Sequence, residues 1–390
     1  MRWWWMVTGT LLCVACGGGE RERAVDGDGA PRHGTGLPEE FPSPFTTIRS
    51  VMALPDGRLV LSDPQENRLV LLDFTDGSQS ELGRLGEGPR EYRRVGGLYR
   101  ARGGGVLVFD QELRRLLPVA PSGTLEDAES PPHYGFSGSW SRYAPDHLST
   151  DSLGYAYSAI REGDFTARAA VLLRHGPGAR PDTLTRLRRR ETRAVTGQGA
   201  REYQEVLFSP EDAWVVAPDG YVAVVRAEPY QLEWIPPIGQ PRAGPRIRHE
   251  PVPITRTEKE AIASGQAGPR GRYTVTRVMV PAGGSPGGGR TTPTPMAVEE
   301  LLWAGVKPPF DLRDGRWPVM DEHGRLWVAR GIAQGAPTRV FDVFDRSGNL
   351  VDRVGLPAGS RLVGFDRKWL YTARADSADL EHLQRFPLPP

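Results

Sequence analysis

The stretch Pro55-Asp56-Gly57-Arg58-Leu59-Val60-Leu61-Ser62 combines a tight turn with a run of β-forming residues, and the fold prediction starts from it. Pro, Asp and Gly favour a turn, and the apolar run after them favours a β-strand. A second apolar run at 67–73 and another Asp-Gly turn follow, which predicts a small antiparallel sheet. Clear or weaker copies of this turn–strand unit occur at 104–109, 151–157, 218–225, 322–329 and 365–371.

The spacing of these units predicts a six-bladed β-propeller. The turns lie near residues 57, 104, 154, 220, 324 and 367, and most steps suit a blade of about 40 to 50 residues. Sheets that are apolar on both faces need neighbours on both sides, which radial packing provides. The alternative for such an all-β chain is a pair of β-sandwiches, but the regular repeat favours the propeller.

Two parts of the repeat need separate interpretation. The long step before the turn at 324 contains a helix-like stretch at 257–266, a Gly-rich run at 283–289 and a second helix-like stretch at 296–303. We interpret residues from about 256 to 310 as a short helical and Gly-rich insertion, while 273–280 could also form a strand of its own. The last blade is one strand short, and residues 46–54 are expected to supply it.

Composition excludes some classes of protein. The chain has 49 Lys and Arg against 48 Asp and Glu, a net charge of +1, which gives no basic excess for nucleic-acid binding. Hydrophobic residues make up 38% of the chain, enough for a packed core. The 47 Gly and 36 Pro disfavour long helices and favour short elements joined by turns.

The first sixteen residues have the layout of an export signal, with an early Arg2, a mostly apolar run and small residues before Cys16. The run is too short to span a bilayer permanently. Its end, Cys13-Val14-Ala15-Cys16, resembles the bacterial lipoprotein lipobox, although Cys13 occupies the usual Leu position. The resemblance implies that Cys16 carries the lipid. The alternative is an ordinary signal peptide followed by an unmodified cysteine.

These observations predict a signal peptide at 1–15, a flexible lipid-anchored tether at 16–44 and a propeller at 45–390. The tether is rich in Gly, Pro and charged residues and has few apolar side chains to order it. We therefore expect an exported protein held in the bacterial cell envelope through its N-terminal lipid. The outer membrane is the expected location.

The repeated Asp-Gly-x-Leu-Val/Trp-Val unit resembles six-bladed propellers of the NHL and TolB-like kind. Residues 83–92, with Gly86-Glu87-Gly88-Pro89, resemble a Gly-x-Gly-Pro-x-Glu-aromatic signature of six-bladed propeller lipoproteins from Gram-negative bacteria, and the segment at 307–310 also fits that group. The resemblance implies the fold. It does not choose among binding scaffolds, lyases and lactonases, since one fold serves many activities.

The sequence offers two candidate sites and no catalytic residue. The first is a cation-and-aromatic set suited to a peptide or glycan, unless its tyrosines pack between blades. Its members are Arg142, Tyr143, His147, Tyr155 and Tyr157. The second is a calcium site formed by carboxylates that converge on the axis, unless they cap turns. Its members are Asp63, Asp110 and Asp345. No other cofactor is indicated.

We therefore expect a lipid-anchored envelope propeller that serves as a binding or scaffold module for a protein, peptide or glycan. The alternative is a propeller hydrolase, lactonase or lyase with a calcium-assisted site at the axial mouth. The basic run at 186–190 is expected to be a solvated loop, with contact to anionic lipid as its alternative.

Overall fold

The computed structural model describes residues 32–33, 37–129, 149–163, 166–176, 180–196, 201–265, 274–280, 290–293, 295–312 and 317–389. Within these residues the chain is nearly all β and forms a six-bladed propeller. Two short strands come first, β1 (Arg32–His33) and β2 (Glu39–Glu40). No helix in the described part of the chain is long and apolar enough to cross a membrane.

The first three blades follow one another along the chain. Blade 1 contains β3 (Ser50–Ala53), β4 (Leu59–Asp63), β5 (Arg68–Leu72) and β6 (Gln79–Glu81). After the connector strands β7 (Arg84–Leu85) and β8 (Glu91–Tyr92), blade 2 contains β9 (Val95–Arg100), β10 (Val106–Asp110) and β11 (Arg115–Val119). Blade 3 contains β12 (Ser149–Thr150), β13 (Ala156–Arg161), β14 (Ala169–His175) and β15 (Asp182–Arg188).

Longer connectors surround blade 4. The first holds β16 (Thr192–Thr196) and β17 (Arg201–Glu205), and blade 4 then contains β18 (Ala213–Val216), β19 (Val222–Ala227), β20 (Tyr230–Ile235) and β21 (Arg242–Ala243). The second holds β22 (Val252–Pro253), α1 (Arg256–Ala263), β23 (Thr274–Val280), β24 (Arg290–Pro293) and β25 (Val306–Lys307).

The last two blades complete the ring. Blade 5 contains β26 (Val319–Met320), β27 (Leu326–Ala329), β28 (Thr338–Phe344) and β29 (Leu350–Pro357). Blade 6 contains β30 (Ser360–Phe365), β31 (Trp369–Ala375) and β32 (Glu381–Pro387), with β2 as its outer strand. All six predicted turns join the first two strands of a blade, which confirms the six-bladed prediction.

Apolar side chains between neighbouring blades form the core. In the described residues, separate buried clusters join blades 6 and 1, 1 and 2, 3 and 4, 4 and 5, and 5 and 6. Between blades 5 and 6, the ring of Trp327 lies 5.0 Å from that of Phe365. Blades 2 and 3 meet through their inner strands, β9 and β12. The hydrophobic effect therefore acts at the five boundaries where the described residues form such a cluster.

Strand direction gives the ring two different faces. The six predicted turns and the turns between third and fourth strands lie on one face, which we call the lower face. The turns between second and third strands and the connectors between blades lie on the other, the upper face. The described parts of the connectors at 189–212 and 244–318 therefore lie on the upper face, where α1 and the sheet of β16, β17, β23 and β24 are found.

The insertion differs in detail from its prediction. It lies between blades 4 and 5, and its β23 is the strand left open as an alternative at 273–280. The expected second helix at 296–303 is wrong, because the chain there makes only a 3₁₀ turn at Val298–Glu300. The insertion also pairs with the connector before blade 4, through β17 and β23.

The strand that closes the ring is not the predicted one. Residues 50–53 of the expected segment form β3, the inner strand of blade 1. The outer strand of blade 6 is β2, where Glu39 pairs with Arg385 and Glu40 with Gln384. An ion pair of 2.6 Å joins Arg385 to Glu39. Part of the expected tether therefore belongs to the propeller, and residues 1–31 with the predicted signal and Cys16 lie outside the described residues.

Three lower-face turns share an aspartate–aromatic hydrogen bond, which is buried in two of them and partly buried in the third. In blade 5, Asp321 accepts the backbone N–H groups of His323 and Arg325 and, at 3.0 Å, the indole N–H of Trp327. The carboxylate thus fixes the turn and satisfies a buried polar group of the next strand. The equivalent pairs are Asp151–Tyr157, Asp321–Trp327 and Asp366–Tyr371.

Blade 3 contains a buried histidine that cannot reach solvent. Nε2 of His175 lies 2.8 Å from Oγ of Ser158, and both side chains are buried. Burial lowers the pKa of His175, because the charged imidazolium is poorly solvated there. The pair therefore belongs to the core, and the folded state favours neutral imidazole.

We expect Asp321→Ala to lower the free energy of unfolding by about 2–4 kcal/mol, because it leaves the buried Trp327 N–H without an acceptor. Asp219→Ala is the matched control, since Asp219 occupies the corresponding turn of blade 4 and is exposed. The control should cost less than about 0.5 kcal/mol. Urea unfolding with an unchanged m-value measures both, and equal losses would contradict the assigned role of Asp321.

We also expect stability to decrease at acidic pH through His175. Its unfolded pKa is about 6.5, and the folded pKa is lower, so the stabilisation is complete above pH 6.5 and is lost as the pH falls towards the folded pKa. In urea unfolding at pH 7.5 and 5.5, His175→Gln should lose less stability than the wild type. Exposed His323→Gln should behave like the wild type. Equal pH dependence for His175→Gln and the wild type would contradict the prediction.

Candidate functional site

The predicted calcium ligands do not come together. Asp63 and Asp110 lie on the upper face, at the ends of β4 and β10, whereas Asp345 lies in a lower-face turn of blade 5. The carboxylate of Asp345 accepts the backbone N–H groups of Ser347 and Asn349, each at 2.8 Å. These three carboxylates therefore cannot bind one ion together.

Asp63 and Asp110 instead tie strands to the chain that enters each blade. Asp63 accepts the backbone N–H groups of Thr46, Gln65 and Glu66 at 3.2 Å. Asp110 likewise accepts backbone N–H groups within its own turn and, at 2.8 Å, that of Arg93. Both carboxylates therefore act as turn caps, which the sequence left open as the alternative. In the described ranges, no three His, Cys, Asp or Glu side chains are grouped to hold a metal.

The predicted cation-and-aromatic set is only partly described. Arg142, Tyr143 and His147 lie outside the described residues, so their role stays a prediction. Tyr157 is 1% exposed, and its hydroxyl donates to Asp151 at 2.8 Å, so it packs inside the fold. Tyr155 is partly buried on the lower face, where the guanidinium of Arg174 lies 5.4 Å from the centre of its ring.

A cleft on the upper face, between the two long connectors and blade 5, is the candidate site. Its volume is about 40 Å³, room for a few water molecules or a small polar group. Apolar residues supply most of the lining. They are Val206, Leu207, Phe208, Pro308, Phe310 and Leu312. The ring of Phe310 packs 5.8 Å from that of Tyr230 in blade 4, which fixes the wall of the cleft to the propeller.

The connector segment has a hydrophobic core of its own. Ile254 lies just before α1 and Ile262 lies within it. Both pack with Leu207 and Phe208 of the first connector and with Leu301 near the end of the second. Thr255 caps α1 by accepting the backbone N–H of Glu258. The cleft wall is therefore a packed unit rather than an isolated loop.

A buried ion pair lies at the back of the cleft. Lys307, 3% exposed, has its Nζ 2.8 Å from Oε1 of Glu258 in α1 and donates to the backbone oxygen of Ile332 at 2.7 Å. The same Nζ lies 5.6 Å from the centre of the Phe208 ring. Because Ile332 belongs to blade 5, Lys307 connects the insertion to the propeller. A buried charge of this kind needs both its partner and its hydrogen bond.

The backbone at Phe208 is strained. Its φ is +63°, in the left-handed region that a bulky aromatic residue rarely adopts. Hydrogen bonds hold the turn in place, from the N–H of Ser209 to Val206 and from the N–H of Leu207 to Leu302. Strain held in this way is characteristic of ligand-binding and switch regions. In this structure it directs the Phe208 side chain towards Lys307 and the cleft.

Charged side chains also line the cleft. Nε of Arg190 lies 2.8 Å from Glu211 and its Nη1 3.6 Å from Glu205, while Asp311 lies 3.6 Å from Arg339. The other arginines of the basic run also face carboxylates. The run at 186–190 is therefore compensated by acidic partners, and its residues 186–188 lie in β15 and not in the expected loop.

Sequence reasoning missed this cleft, although two signals pointed to it. The chain contains three lysines, of which Lys259 and Lys307 both lie in the insertion. Their ammonium groups cover the rings of Trp303 and Phe208, which stack on each other with centres 6.4 Å apart. The segment at 307–310, which resembles a motif of propeller lipoproteins, supplies Lys307, Pro308 and Phe310 to the cleft.

No protein-family model matches the chain, and no curated protein matches it. Among solved structures, it is similar to virginiamycin B lyase from Staphylococcus aureus, with 11% identity, 90% of this chain and 99% of that chain covered, and a TM-score of 0.39. An exported protein from Bacteroides fragilis shows 10% identity, with 91% and 94% covered and a TM-score of 0.46. The PQQ-bound aldose sugar dehydrogenase from Streptomyces coelicolor shows 12% identity, with 92% and 99% covered and a TM-score of 0.39. Likeness of this degree carries no argument about activity, and the number of blades rests on the strand order described above.

Proposed function

We propose that this protein is a lipid-anchored β-propeller of the bacterial cell envelope that binds a protein, peptide or glycan through its upper-face cleft. The signal-like first sixteen residues and the lipobox-like Cys16 support the location. The cleft supports the binding role. We take the outer membrane as the site of anchoring.

The observation that carries the binding role is the strained Phe208 beside the buried Lys307–Glu258 pair. Both features cost free energy in the folded state, and both occur where the connector meets the propeller. The apolar lining with a few placed charges has the composition of a ligand site. Because the cleft is small, one side chain of a peptide or one substituent of a sugar would enter it.

A binding experiment tests the cleft directly. Thermal unfolding of the protein with short peptides and oligosaccharides should yield a probe that stabilises the wild type, by about 2.7 kcal/mol at a hundred times its Kd. We expect Glu205→Trp, which places an indole at the mouth of the cleft, to remove that stabilisation. Ile238→Trp on the lower face is the matched control and should keep it.

Two outcomes would contradict the proposed role. A probe that stabilises Glu205→Trp as well as the wild type would place binding elsewhere. A rise in melting temperature with Ca²⁺, reversed by a chelator, would favour the calcium-assisted hydrolase, lactonase or lyase at the axial mouth. In that case the carboxylates of Asp63 and Asp110 would have to release the backbone N–H groups that they accept and coordinate the ion instead.

The anchor has its own test. Cys16→Ser should abolish incorporation of radiolabelled palmitate in cells, because the thioether requires the sulfur atom. Cys13→Leu is the matched control, since it removes the other sulfur atom and puts the usual lipobox residue at that position, and it should keep the label. Labelling of Cys16→Ser at the wild-type level would contradict the anchor.

A further inference from the structure

The lower face carries an exposed apolar patch around blade 4. Leu153 is 45% exposed, Tyr221 37% and Ile238 92%. The turns that carry these residues adjoin one another at Gly220, which precedes Tyr221. A Cβ built on Gly220 would lie 3.3 Å from Leu153 and 3.2 Å from Pro237, which precedes Ile238. We call Leu153, Tyr221, Pro237 and Ile238 the lower apolar patch.

Arginines stacked on aromatic rings border the lower apolar patch. The guanidinium of Arg346 lies 4.6 Å from the ring centre of Trp234 and 5.4 Å from that of Tyr221. Arg174 donates to the backbone oxygen of Pro237 at 2.7 Å. Protruding aliphatic side chains beside tyrosine and arginine are a combination that suits the interface between lipid headgroups and acyl chains.

Strand direction brings the N-terminal chain to this same face. β1 runs parallel to β29, and β2 runs antiparallel to β32, so both strands begin towards the lower face. Fifteen residues separate Cys16 from Arg32. Such a segment spans at most about 55 Å when fully extended, so the lipid on Cys16 is within reach of the lower face.

We propose that the lower face lies on the lipid bilayer that holds the anchor, with the lower apolar patch among the lipid headgroups. This inference rests on the lipid anchor of the proposed function. The patch consists of turns that project from the ring, and a projecting aliphatic tip such as Ile238 suits a deformable lipid surface. The upper-face cleft then points away from the membrane.

The test uses acylated protein in vesicles of phosphatidylethanolamine and phosphatidylglycerol. In the acylated mature chain the Cys16 sulfur is blocked and Cys13 has been removed, so Ile238→Cys provides the one reactive thiol for the environment-sensitive fluorophore NBD. Val306→Cys on the upper face, also in an exposed aliphatic position, is the matched control. Thermal unfolding first verifies that both labelled proteins fold as the wild type does.

We expect the label at position 238 to shift its emission to shorter wavelength on vesicles and to be quenched by nitroxide-bearing lipids, while the label at position 306 stays unchanged. If the protein sediments with vesicles and both labels remain in water, the lower face is not bound to lipid and this inference alone is overturned. If the protein does not sediment with vesicles, the anchor and this inference are overturned together.

Discussion

Burial on both faces of every blade is the constraint on which this structure depends. A small sheet such as that of β3 to β6 turns apolar side chains towards both neighbours, and neither side can be left in water without losing hydrophobic stabilisation. Each blade is therefore stable only between two others. A closed ring provides this for every blade and leaves no sheet face uncovered.

The same constraint determines where variation is possible. Side chains fill the space between neighbouring blades, so the fold can accommodate a long insertion only at the ends of strands. Both long connectors leave the ring on the upper face, and they pack on each other through β17 and β23 and through their own apolar cluster. The cleft thus combines a rigid wall from Phe310 and blade 5 with a wall from the connectors, joined by Lys307.

The ring could be predicted from the sequence because the turn–strand pattern that marks each blade lies within a few consecutive residues. In each blade the turn between the first two strands needs glycine or aspartate at a fixed place and is followed by a buried strand, so Gly57, Gly220 and Gly324 mark blades without knowledge of any distant contact. The cleft follows no such pattern. Phe208 and Lys307 are far apart in the chain and meet where Leu207 pairs with the segment at 302–304, and no spacing in the sequence encodes that pairing.

The closing strand was missed for a related reason. Glu39 and Glu40 are two polar residues with no strand pattern, and their position depends on β32 at the other end of the chain. Their side chains fit only because Gln384 and Arg385 are there to receive them. A strand that forms because of its pairing partner cannot be recognised from its own residue types.

That pairing also sets an order of events during synthesis. The ribosome makes β2 well before its partner β32, since Glu40 and Gln384 lie 344 residues apart in the chain. The outer strand of blade 6 therefore cannot pair until β32 has been made, however early the middle blades acquire structure. Until then the nascent chain keeps the ring open, with its closing strand unpaired.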